Sequence, residues 1–482
     1  MADDFKLEKL RKLRELGVNP YPYSFERTHS CAAVASGFEK LEGKQVVVAG
    51  RMIRMRNLGS LSFIDILDGS GKLQVLVRED NADQETGKLL KLLDVGDIIG
   101  AGGKVVKTTR GEVSIDAISI DILSKSLRTM PEKFHGLTDT EIRYRKRYLD
   151  LIINPRVREF FVTRAKLLSY MRGFLDSRGY VEFETPVLQH TYGGAFAKPF
   201  KTYYNAIGSD VFLRISDELY LKKLVVGGFE RVYEVSKDFR NEDIDATHNP
   251  EFTQIELYEA YRDYNSYMDL LEEMLAGTVS SLFGTDEIKF QGKKLSFKPK
   301  FRRLYWVEEL KKKTGIDISE MEDKDAAAIA EREGLRVAVK NSYHVADALF
   351  DKHIKPDLFD PTFVLDFPAY MCPLTKDKRG NPKLSERFEL FVAGYEEANC
   401  YSELTDPEAQ AAKFKAQEDE RRKGDEEAPP SDSDFIEAME YGMPPMAGLG
   451  VAIDRLAMIL TDNTSLKEVI AFPAVRPEKK QS

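Results

Sequence analysis

The sequence lacks the features that mark several large protein classes. Its 482 residues include three cysteines, Cys31, Cys372 and Cys400, which lie far apart and form no CxxC pair. This spacing predicts neither a disulfide framework nor a zinc site. No apolar run approaches the length of a transmembrane helix, and the first residues lack the uninterrupted apolar region of a secretory signal. We therefore expect a protein of the reducing cytoplasm with no membrane partner.

Three common cofactor and metal motifs are also missing. The stretch GSGK would need glycine at Ile66 and serine or threonine at Leu73 to form a phosphate-binding loop. The stretch GLGVAI has Ile453 in place of the third glycine of a dinucleotide-binding turn, and it lies near the C-terminus. The zinc-protease motif HExxH does not occur. We therefore predict none of these three sites.

Composition describes a globular protein of more than one domain. Hydrophobic residues make up 42% of the chain and charged residues 31%, and the length exceeds what one compact core accommodates. The formal net charge of −9 argues against a protein that coats nucleic acid generally. It leaves room for a local basic surface that contacts RNA, because binding depends on where the charge is placed.

The N-terminal part predicts a short helix followed by a small barrel. Leucines at helical spacing between basic residues predict a helix over residues 5–16, which either contacts RNA or caps the fold. We assign residues 1–43 to this helix and its lead-in. Five short β-rich runs and one helical stretch within residues 44–124 predict a Greek-key barrel of the oligonucleotide-binding type.

One face of the predicted barrel suits unstacked bases. In a hairpin, Gln74 is expected opposite Asp65 and on the same face as Phe63, with Arg56 nearby. An aromatic ring stacks on bases, while an amide and a guanidinium recognise base edges. The alternative is an ordinary barrel surface, since a barrel alone does not determine a ligand.

The rest of the chain is predicted to be a basic connector and one large α/β unit. Residues 125–150 contain a cluster of four basic residues, which contacts a phosphate backbone or forms a solvated helix face. Residues 151–482 form the large unit, with inserted helical segments near residues 305–350 and 406–433. The cluster consists of Arg143, Arg145, Lys146 and Arg147.

The stretch from Phe229 to Tyr261 predicts two strands joined by a polar loop. Alternation in the second strand places four side chains of mixed chemistry on one face and three apolar or small ones on the other. The first set consists of Phe252, Gln254, Glu256 and Tyr258. With Arg240, Glu242 and His248 at the loop end, this face suits a nucleotide beside a small cation. The alternative is an edge hairpin in which Glu256 is merely solvated.

A later strand repeats this alternation. Asn399, Tyr401 and Glu403 are expected on one face, and two further carboxylates, Glu389 and Glu396, precede them. Each glutamate alone is better explained as a solvated surface carboxylate. Together with two arginines, however, two carboxylates provide what phosphoryl chemistry and Mg²⁺ require. Those arginines are Arg240 and Arg455.

At these residues the chain resembles the class II aminoacyl-tRNA synthetases, in particular their lysine-specific members. The stretches ETPVL, FRNEDIDATHNPEFTQIELYEAY and GLGVAIDR are similar to the three motifs of that family. Two more, SDELYLKKLVVGGFERVYE and NCYSELTDP, are similar to the lysine members rather than the aspartate or asparagine members. Ala452, Met446 and Cys400 depart from the usual pattern, which affects fine geometry rather than charge.

The resemblance implies an α+β fold and a role for each of these residues. It implies an N-terminal OB-fold barrel that binds the anticodon and a catalytic domain built on an antiparallel sheet flanked by helices. The substrates would be ATP, L-lysine and tRNA(Lys), with Mg²⁺ as cofactor and a homodimer as the assembly. Arg240 and Arg455 would be catalytic. ATP would contact Arg240, Glu242, His248, Phe252, Glu389 and Arg455.

The remaining roles follow in the same way. Lysine would contact Gly194, Glu218, Glu256, Tyr258, Asn399, Tyr401 and Glu403, with Glu256 meeting the ε-ammonium most directly. Mg²⁺ would bind Glu389 and Glu396, and the anticodon would contact Arg56, Phe63, Gln74 and Glu112. Two alternatives remain open: an aspartate- or asparagine-specific synthetase, and a synthetase-like paralogue that acts on a protein.

Overall fold

A computed structural model describes residues 2–78, 80–130, 139–337, 339–422 and 428–477 of the chain. The chain divides into two compact units, residues 1–136 and 137–482. Part of the predicted connector, residues 131–138, and part of the second predicted insertion, residues 423–427, lie outside the described residues. The finer division at residues 43, 124 and 150 stays a prediction.

The first unit is the predicted five-stranded barrel. Its strands close in the order β1-β2-β3-β5-β4, and Asp65 pairs with Gln74 as the hairpin register predicts. Valine and isoleucine side chains that alternate along these strands fill the barrel interior. The strands are β1 (Gln45–Leu58), β2 (Leu61–Leu67), β3 (Lys72–Arg78), β4 (Ile98–Lys107) and β5 (Val113–Ser124). The helices are α1 (Asp4–Glu15), α2 (Cys31–Ser36), α3 (Phe38–Leu41) and α4 (Gln84–Leu90).

Helix α1 packs onto the barrel unit. Leu10 and Leu13 are buried, and Leu13 belongs to the core of the barrel. The ammonium of Lys6 is buried with them and donates to the backbone carbonyls of Val95 and Arg128 at 3.2 and 3.1 Å. These contacts favour the capping role over the RNA-contacting one.

The second unit is built on a nine-stranded mixed sheet with the order β14-β15-β17-β18-β19-β11-β10-β6, in which β16 pairs with β17. Two smaller sheets, β7-β9-β8 and β12-β13, accompany it. The strands are β6 (Val181–Glu182), β7 (Leu188–Gln189), β8 (Lys201–Tyr204), β9 (Ser209–Leu213), β10 (Arg231–Phe239), β11 (Glu251–Ala260), β12 (Glu287–Phe290), β13 (Lys293–Ser296), β14 (Arg302–Tyr305), β15 (Thr362–Pro368), β16 (Asp377–Lys378), β17 (Asn381–Val392), β18 (Tyr395–Ser402) and β19 (Met446–Ala452).

Helices flank this sheet. The long helices α7 and α9 and the C-terminal α15 pack on the face to which Ile255 and Leu257 of β11 point, and this layer is the main core. The helices are α5 (Thr140–Arg145), α6 (Arg147–Ile153), α7 (Pro155–Asp176), α8 (Glu218–Val226), α9 (Tyr264–Phe283), α10 (Trp306–Thr314), α11 (Asp323–Arg332), α12 (Ser342–His353), α13 (Pro407–Arg422), α14 (Ser433–Glu440), α15 (Ile453–Leu460) and α16 (Leu466–Val469). The predicted α+β class, a barrel followed by a sheet flanked by helices, is therefore confirmed.

The central hairpin has the predicted register. Strands β10 and β11 are antiparallel with Glu234 opposite Glu256, and β19 pairs with the other edge of β11, with Gly450 opposite Glu256. Strand β18 pairs with the other edge of β19, with Asn399 opposite Gly450. The polar faces of β11 and β18 are therefore held side by side across one intervening strand.

One expectation differs from the structure. Arg143 and Arg147 of the predicted basic cluster bind protein acids rather than solvent, since Arg143 pairs with Asp150 at 3.0 Å and Arg147 is fully buried against Asp150 at 2.6 Å. The stretch around ETPVL is extended only at its two ends, β6 and β7. Between them the backbone N–H and the hydroxyl of Thr185 donate to the side-chain carboxylate of Glu234, so they form no backbone ladder with β10. Pro186 has no N–H to donate.

Within the described ranges, every helix is too short or too polar to cross a bilayer.

Candidate active site

The polar face of the sheet, opposite the main core, forms the floor of a cleft with a cavity volume of about 360 Å³. All but one of the residues predicted to bind ATP, lysine or metal line this cleft. The exception is Glu389, which lies beside it. The lining residues of that set are Gly194, Glu218, Arg240, Glu242, His248, Phe252, Glu256, Tyr258, Glu396, Asn399, Tyr401, Glu403 and Arg455.

Two guanidiniums and an aromatic ring occupy one end of the cleft. The guanidinium carbon of Arg240, at the end of β10, lies 5.0 Å from the centroid of the Phe252 ring. Arg455, in the first turn of α15, donates to the backbone carbonyl of Glu396 at 2.8 Å and lies 3.7 Å from its carboxylate. An aromatic face with two cations beside it is suited to a base and its phosphates.

The loop between β10 and β11 carries His248 at this end. Its Nδ1 lies 2.8 Å from a carboxylate oxygen of Asp245, and both side chains are about half exposed. The side chain of Glu242 is also exposed. The loop therefore presents polar groups to the cleft without a buried acid–base pair.

Glu256 lies in the middle of the cleft floor and is surrounded by donors. Its carboxylate accepts from Gln254 Nε2 at 2.6 Å, Ser216 Oγ at 3.2 Å and Tyr258 Oη at 3.0 Å. Burial, together with the nearby charges of Glu218 and Asp238, nevertheless raises its pKa to about 8. Glu256 is therefore a buried acid that needs a cation to stay ionised at neutral pH.

The far end of the cleft holds a buried lysine between two glutamates. The ammonium of Lys222, one turn after Glu218 in α8, forms ion pairs with Glu218 and with Glu403. Burial lowers the pKa of Lys222, but the two carboxylates outweigh it and the net shift is upward. Burial also raises the pKa of Glu403 to about 8, despite Lys222. This end of the cleft binds an ammonium group already.

A pair of carboxylates lies near the two arginines. Burial and the charge of Glu396 raise the pKa of Glu389 to about 8, although Arg387 forms an ion pair with it. Two carboxylates that repel each other are a donor set that a hard divalent cation would stabilise. Arg387 also donates to Asn399 Oδ1 at 3.2 Å, so it connects this pair to the cleft floor.

Two glycines keep the cleft open. Gly448 of β19 lies opposite both Tyr258 and Tyr401, and a Cβ built there would lie 2.2 Å from Glu403 Oε1 and 2.3 Å from Tyr258 Cε1. Gly194 has a φ of +87°, and a Cβ there would lie 2.8 Å from Ser216 Oγ. A side chain at either position would enter the space beside the buried acids.

The residues predicted to contact an anticodon lie in the first unit as two pairs. The guanidinium carbon of Arg56 lies 5.8 Å from the centroid of the Phe63 ring, and Gln74 Nε2 donates to Glu112 Oε2 at 3.2 Å. They belong to neighbouring strands β1, β2 and β3 and to the residue before β5. These four side chains therefore lie on adjacent strands across one face of the barrel.

Three residues in or beside the cleft, Lys222, Arg387 and Gly448, have no role in the sequence prediction. Lys222 follows Glu218 by four residues, a spacing that ordinarily indicates a surface ion pair on a helix. Arg387 alternates with Glu389 on β17 and could have been found from that spacing. Gly448 gave no signal beyond its place in the third motif.

We predict that Lys222→Met destabilises the second unit by about 3 kcal/mol, because it leaves two buried carboxylates without their shared cation. The neighbouring Lys223→Met is the control, since Lys223 pairs with the exposed Asp434 at the surface and its loss costs at most about 1 kcal/mol. Hydrogen exchange of the α8 and β18 amides measures both. Equal protection in the two variants would contradict the prediction.

Comparison with known proteins identifies the two units. The profile of the family described as "tRNA synthetases class II (D, K and N)" matches residues 139–476. That of the family described as "OB-fold nucleic acid binding domain" matches residues 46–123. Together the two profiles cover the barrel and the sheet that carries the cleft.

Full-length relatives narrow the family further. The chain is 47% identical over 477 residues to a protein named lysine–tRNA ligase from Moorella thermoacetica, covering 98% of this chain and 97% of that one. It is 46% identical to the lysine–tRNA ligase of Carboxydothermus hydrogenoformans, covering 98% and 97%. It is 48% identical over 482 residues to lysine–tRNA ligase 2 of Methanosarcina mazei, covering 99% and 94%. The chain therefore belongs to the class II tRNA synthetases and, within them, to the lysine–tRNA ligase family.

Proposed function

We propose that this protein ligates L-lysine to tRNA(Lys) in an ATP-dependent reaction through a lysyl-adenylate. The observation that carries the proposal is the convergence of three buried glutamates, from α8, from β11 and from the residue after β18, next to two arginines in a single cleft. Buried carboxylates select ammonium groups, and paired guanidiniums bind polyphosphate. The names of the full-length relatives support the same activity.

The first step joins lysine to ATP. An oxygen of the lysine carboxylate attacks the α-phosphorus, the bond from that phosphorus to the bridging oxygen breaks, and pyrophosphate leaves. A hydroxyl of the terminal adenosine of the tRNA then attacks the lysyl carbonyl carbon, and AMP leaves. Neither step requires a nucleophile from the protein, so catalysis consists of alignment and charge stabilisation.

The nucleotide end of the cleft would provide that stabilisation. Arg240 binds the α-phosphate and Arg455 the γ-phosphate, while adenine lies between the Phe252 ring and the Arg455 guanidinium. The position of Arg240 beside the Phe252 ring supports this arrangement. Glu242 and His248 in the adjacent loop contact the nucleotide at its solvent-exposed side.

The strand register suggests how lysine is oriented. Glu256 and Asn399 lie across from each other near the nucleotide end, and Tyr258 and Tyr401 lie one alternation further along. Glu403 comes two residues after Tyr401, but its carboxylate reaches back to Gly448, where a Cβ would lie 2.2 Å from Oε1. Gly448 is two residues of strand, about 7 Å, from Gly450 opposite Glu256, and Lys222 joins Glu218 to Glu403. This distance matches the span between the two ammonium groups of an extended lysine.

We therefore assign the α-ammonium to Glu256 and the ε-ammonium to Glu218 and Glu403. This differs from the sequence prediction, which placed the ε-ammonium at Glu256. Tyr258 and Tyr401 enclose the methylene chain, Asn399 lies beside the carboxylate, and the loop at Gly194 covers the site.

Mg²⁺ would be held by Glu389 and Glu396. The mutual repulsion that raises the pKa of Glu389 fits a pair that binds a divalent cation. When bound, the ion supplies positive charge to the phosphate oxygens. Arg387 and Arg455 hold the two carboxylates in place.

The barrel face would bind the anticodon of the tRNA. Phe63 stacks on a base, while Arg56, Gln74 and Glu112 contact base edges. The cation–π contact between Arg56 and Phe63 and the hydrogen bond between Gln74 and Glu112 support this by fixing the side chains before RNA arrives.

The assembly and the location of the protein belong to this proposal as well. We infer a homodimer from the resemblance of ETPVL to the first family motif. We infer a cytoplasmic location from three buried thiols that form no disulfide within the described residues. An aspartate- or asparagine-specific synthetase is not favoured, because two buried carboxylates outnumber the single cation Lys222 at the far end of the cleft and the full-length relatives are named lysine–tRNA ligases.

Amino-acid-dependent exchange of pyrophosphate into ATP tests the proposed function. Lysine supports exchange, and ornithine, one methylene shorter, loses about 1–3 kcal/mol in kcat/KM. Norleucine has the length but not the ammonium, so its kcat/KM is lower by roughly 10⁴ because the buried acids stay unpaired. Charging of purified tRNA(Lys) with lysine completes the test. Exchange with aspartate or asparagine, or equal use of norleucine, would exclude this function.

We predict that kcat/KM for lysine rises with pH from 6 to 8.5 at saturating ATP. The pKa of Glu256 is raised to about 8, so this acid holds a proton below that pH and must lose it to bind an ammonium group. The near-UV circular dichroism spectrum provides the control, since an unchanged spectrum from pH 6 to 8.5 shows that the fold is retained. A flat lysine profile contradicts the prediction.

We also predict that Gly448→Ala abolishes lysine-dependent exchange but leaves ATP binding intact. The added methyl group collides with Glu403 and Tyr258 at the far end of the cleft, away from the nucleotide. Equilibrium binding of ATP to the variant measures whether the nucleotide end of the cleft is intact. Normal exchange by Gly448→Ala would mean that lysine binds elsewhere.

A further inference from the structure

Two buried carboxyls lie behind Glu256 and take no part in the function described so far. Carboxylate oxygens of Asp217, Asp238 and Glu256 lie within 4.8 Å of one another. Glu256 lines the cleft, but the other two are fully buried and lie behind its floor. Three acids at this spacing cannot all be ionised without compensating positive charge or shared protons.

The charges of two guanidiniums, Arg214 and Arg240, act on Asp238 of this cluster. Arg214, which follows β9, pairs with Glu234 at 2.7 Å and with Asp238 at 3.2 Å. Gln254 Nε2 also donates to Asp238. Asp238 thus has an ion pair and a donor, whereas the charge of Arg214 acts on Asp217 without a hydrogen bond to it.

Asp217 lacks the partners that its position in the chain would suggest. It immediately precedes α8, where an aspartate ordinarily accepts from free backbone N–H groups. Its side chain makes no such bond, and Ser216 Oγ accepts from the backbone N–H of Glu218 instead, at 3.1 Å. Among the described residues, neither oxygen of Asp217 has a hydrogen-bond partner. A carboxylate oxygen of Glu256 lies within 4.8 Å of one of Asp217.

We propose that Asp217 is a positioning residue for lysine that stays in its neutral acid form and donates a hydrogen bond to Glu256. Glu256 then carries the single negative charge of this pair toward the α-ammonium of the substrate. A neutral acid that donates a hydrogen bond from an apolar environment is an established way to stabilise an adjacent charge. The proposal rests on the proposed function, because it needs lysine at Glu256.

The pKa shifts agree with a neutral Asp217 beside an ionised Glu256. Burial, then the charge of Glu256, raises the pKa of Asp217 well above its usual range, whereas the pKa of Glu256 rises to about 8. When the ammonium binds, Glu256 releases its proton to solvent and Asp217 keeps its own. The charged and titratable groups that face this pair are Glu218 on α8, Glu234 and Asp238 on β10, Arg214 and Arg240 after strands β9 and β10, and Tyr258 on β11.

A bound cation would be the other way to neutralise the three acids. The N–H groups of Gln254 already point at Asp238 and Glu256, and the Arg214 guanidinium lies at Asp238. A cation among these donors would displace them or be repelled by them. The arrangement therefore favours a proton over a metal ion.

Two variants of Asp217 separate the neutral acid from an ionised one. Asp217→Asn keeps the shape and the donor without the ability to ionise, so KM for lysine stays within about threefold of the unmodified protein. Asp217→Ala removes the donor, raises KM for lysine by about tenfold or more and moves the pH profile of kcat/KM to higher pH. The KM for ATP does not change in either variant. An Asn variant as impaired as the Ala variant, or an Ala variant with normal KM and pH profile, overturns the proposal.

Infrared difference spectroscopy provides a readout independent of activity and of the fate of the Ala variant. The spectrum of Asp217→Asn is subtracted from that of the unmodified protein at neutral pH. The difference contains the C=O stretch of the protonated Asp217 carboxyl, both with and without bound lysine. Absence of that band from the unmodified protein overturns the proposal. Failure of the unmodified protein to activate lysine would instead refute the proposed function, so the two failures are distinguishable.

Discussion

The cost of burying negative charge shapes this cleft more than any other physical term. Glu218, Glu256 and Glu403 are each less than a tenth exposed, and an ionised carboxylate in such a place requires a cation or several donors. The protein stabilises the far pair with Lys222, surrounds Glu256 with N–H and O–H donors and leaves the remaining charge for the substrate. With the lysine site that we propose, the charges of the cleft are therefore balanced only when lysine is bound.

The sheet makes this concentration of charge possible. Carboxylates that repel one another would separate if they were carried on loops, but β11, β19 and β18 hold Glu256, Gly450 and Asn399 in one register line. The apolar faces of the same strands pack against α7, α9 and α15, and the resulting core resists the repulsion. The intervening strand β19 contributes glycines at the polar face, because a side chain there would fill the cleft.

The sequence permitted prediction of features that depend on local periodicity and not of those that depend on partners distant in the chain. Alternation predicted the two faces of β11 and the pairing of Asp65 with Gln74, because a strand fixes the side-chain direction at every residue. Asp217 had no role in the sequence prediction, and Arg147 was expected to contact phosphate or solvent, whereas the fold buries it. The family resemblance supplied the roles of Arg240, Arg455 and the cleft acids, which spacing alone left open.

The charges of the far and middle parts of the cleft suggest why Lys222 and Asp217 accompany the three glutamates. When ionised, Glu218, Glu256 and Glu403 carry three negative charges, and Lys222 reduces this to two. Lysine brings two ammonium groups, so that binding makes the buried cluster neutral, while its carboxylate is directed toward the arginines at the nucleotide end. An ionised Asp217 would add one negative charge that no substrate group matches, and a neutral Asp217 preserves the balance. Selection of lysine thus depends on the number of buried charges as much as on the length of the pocket.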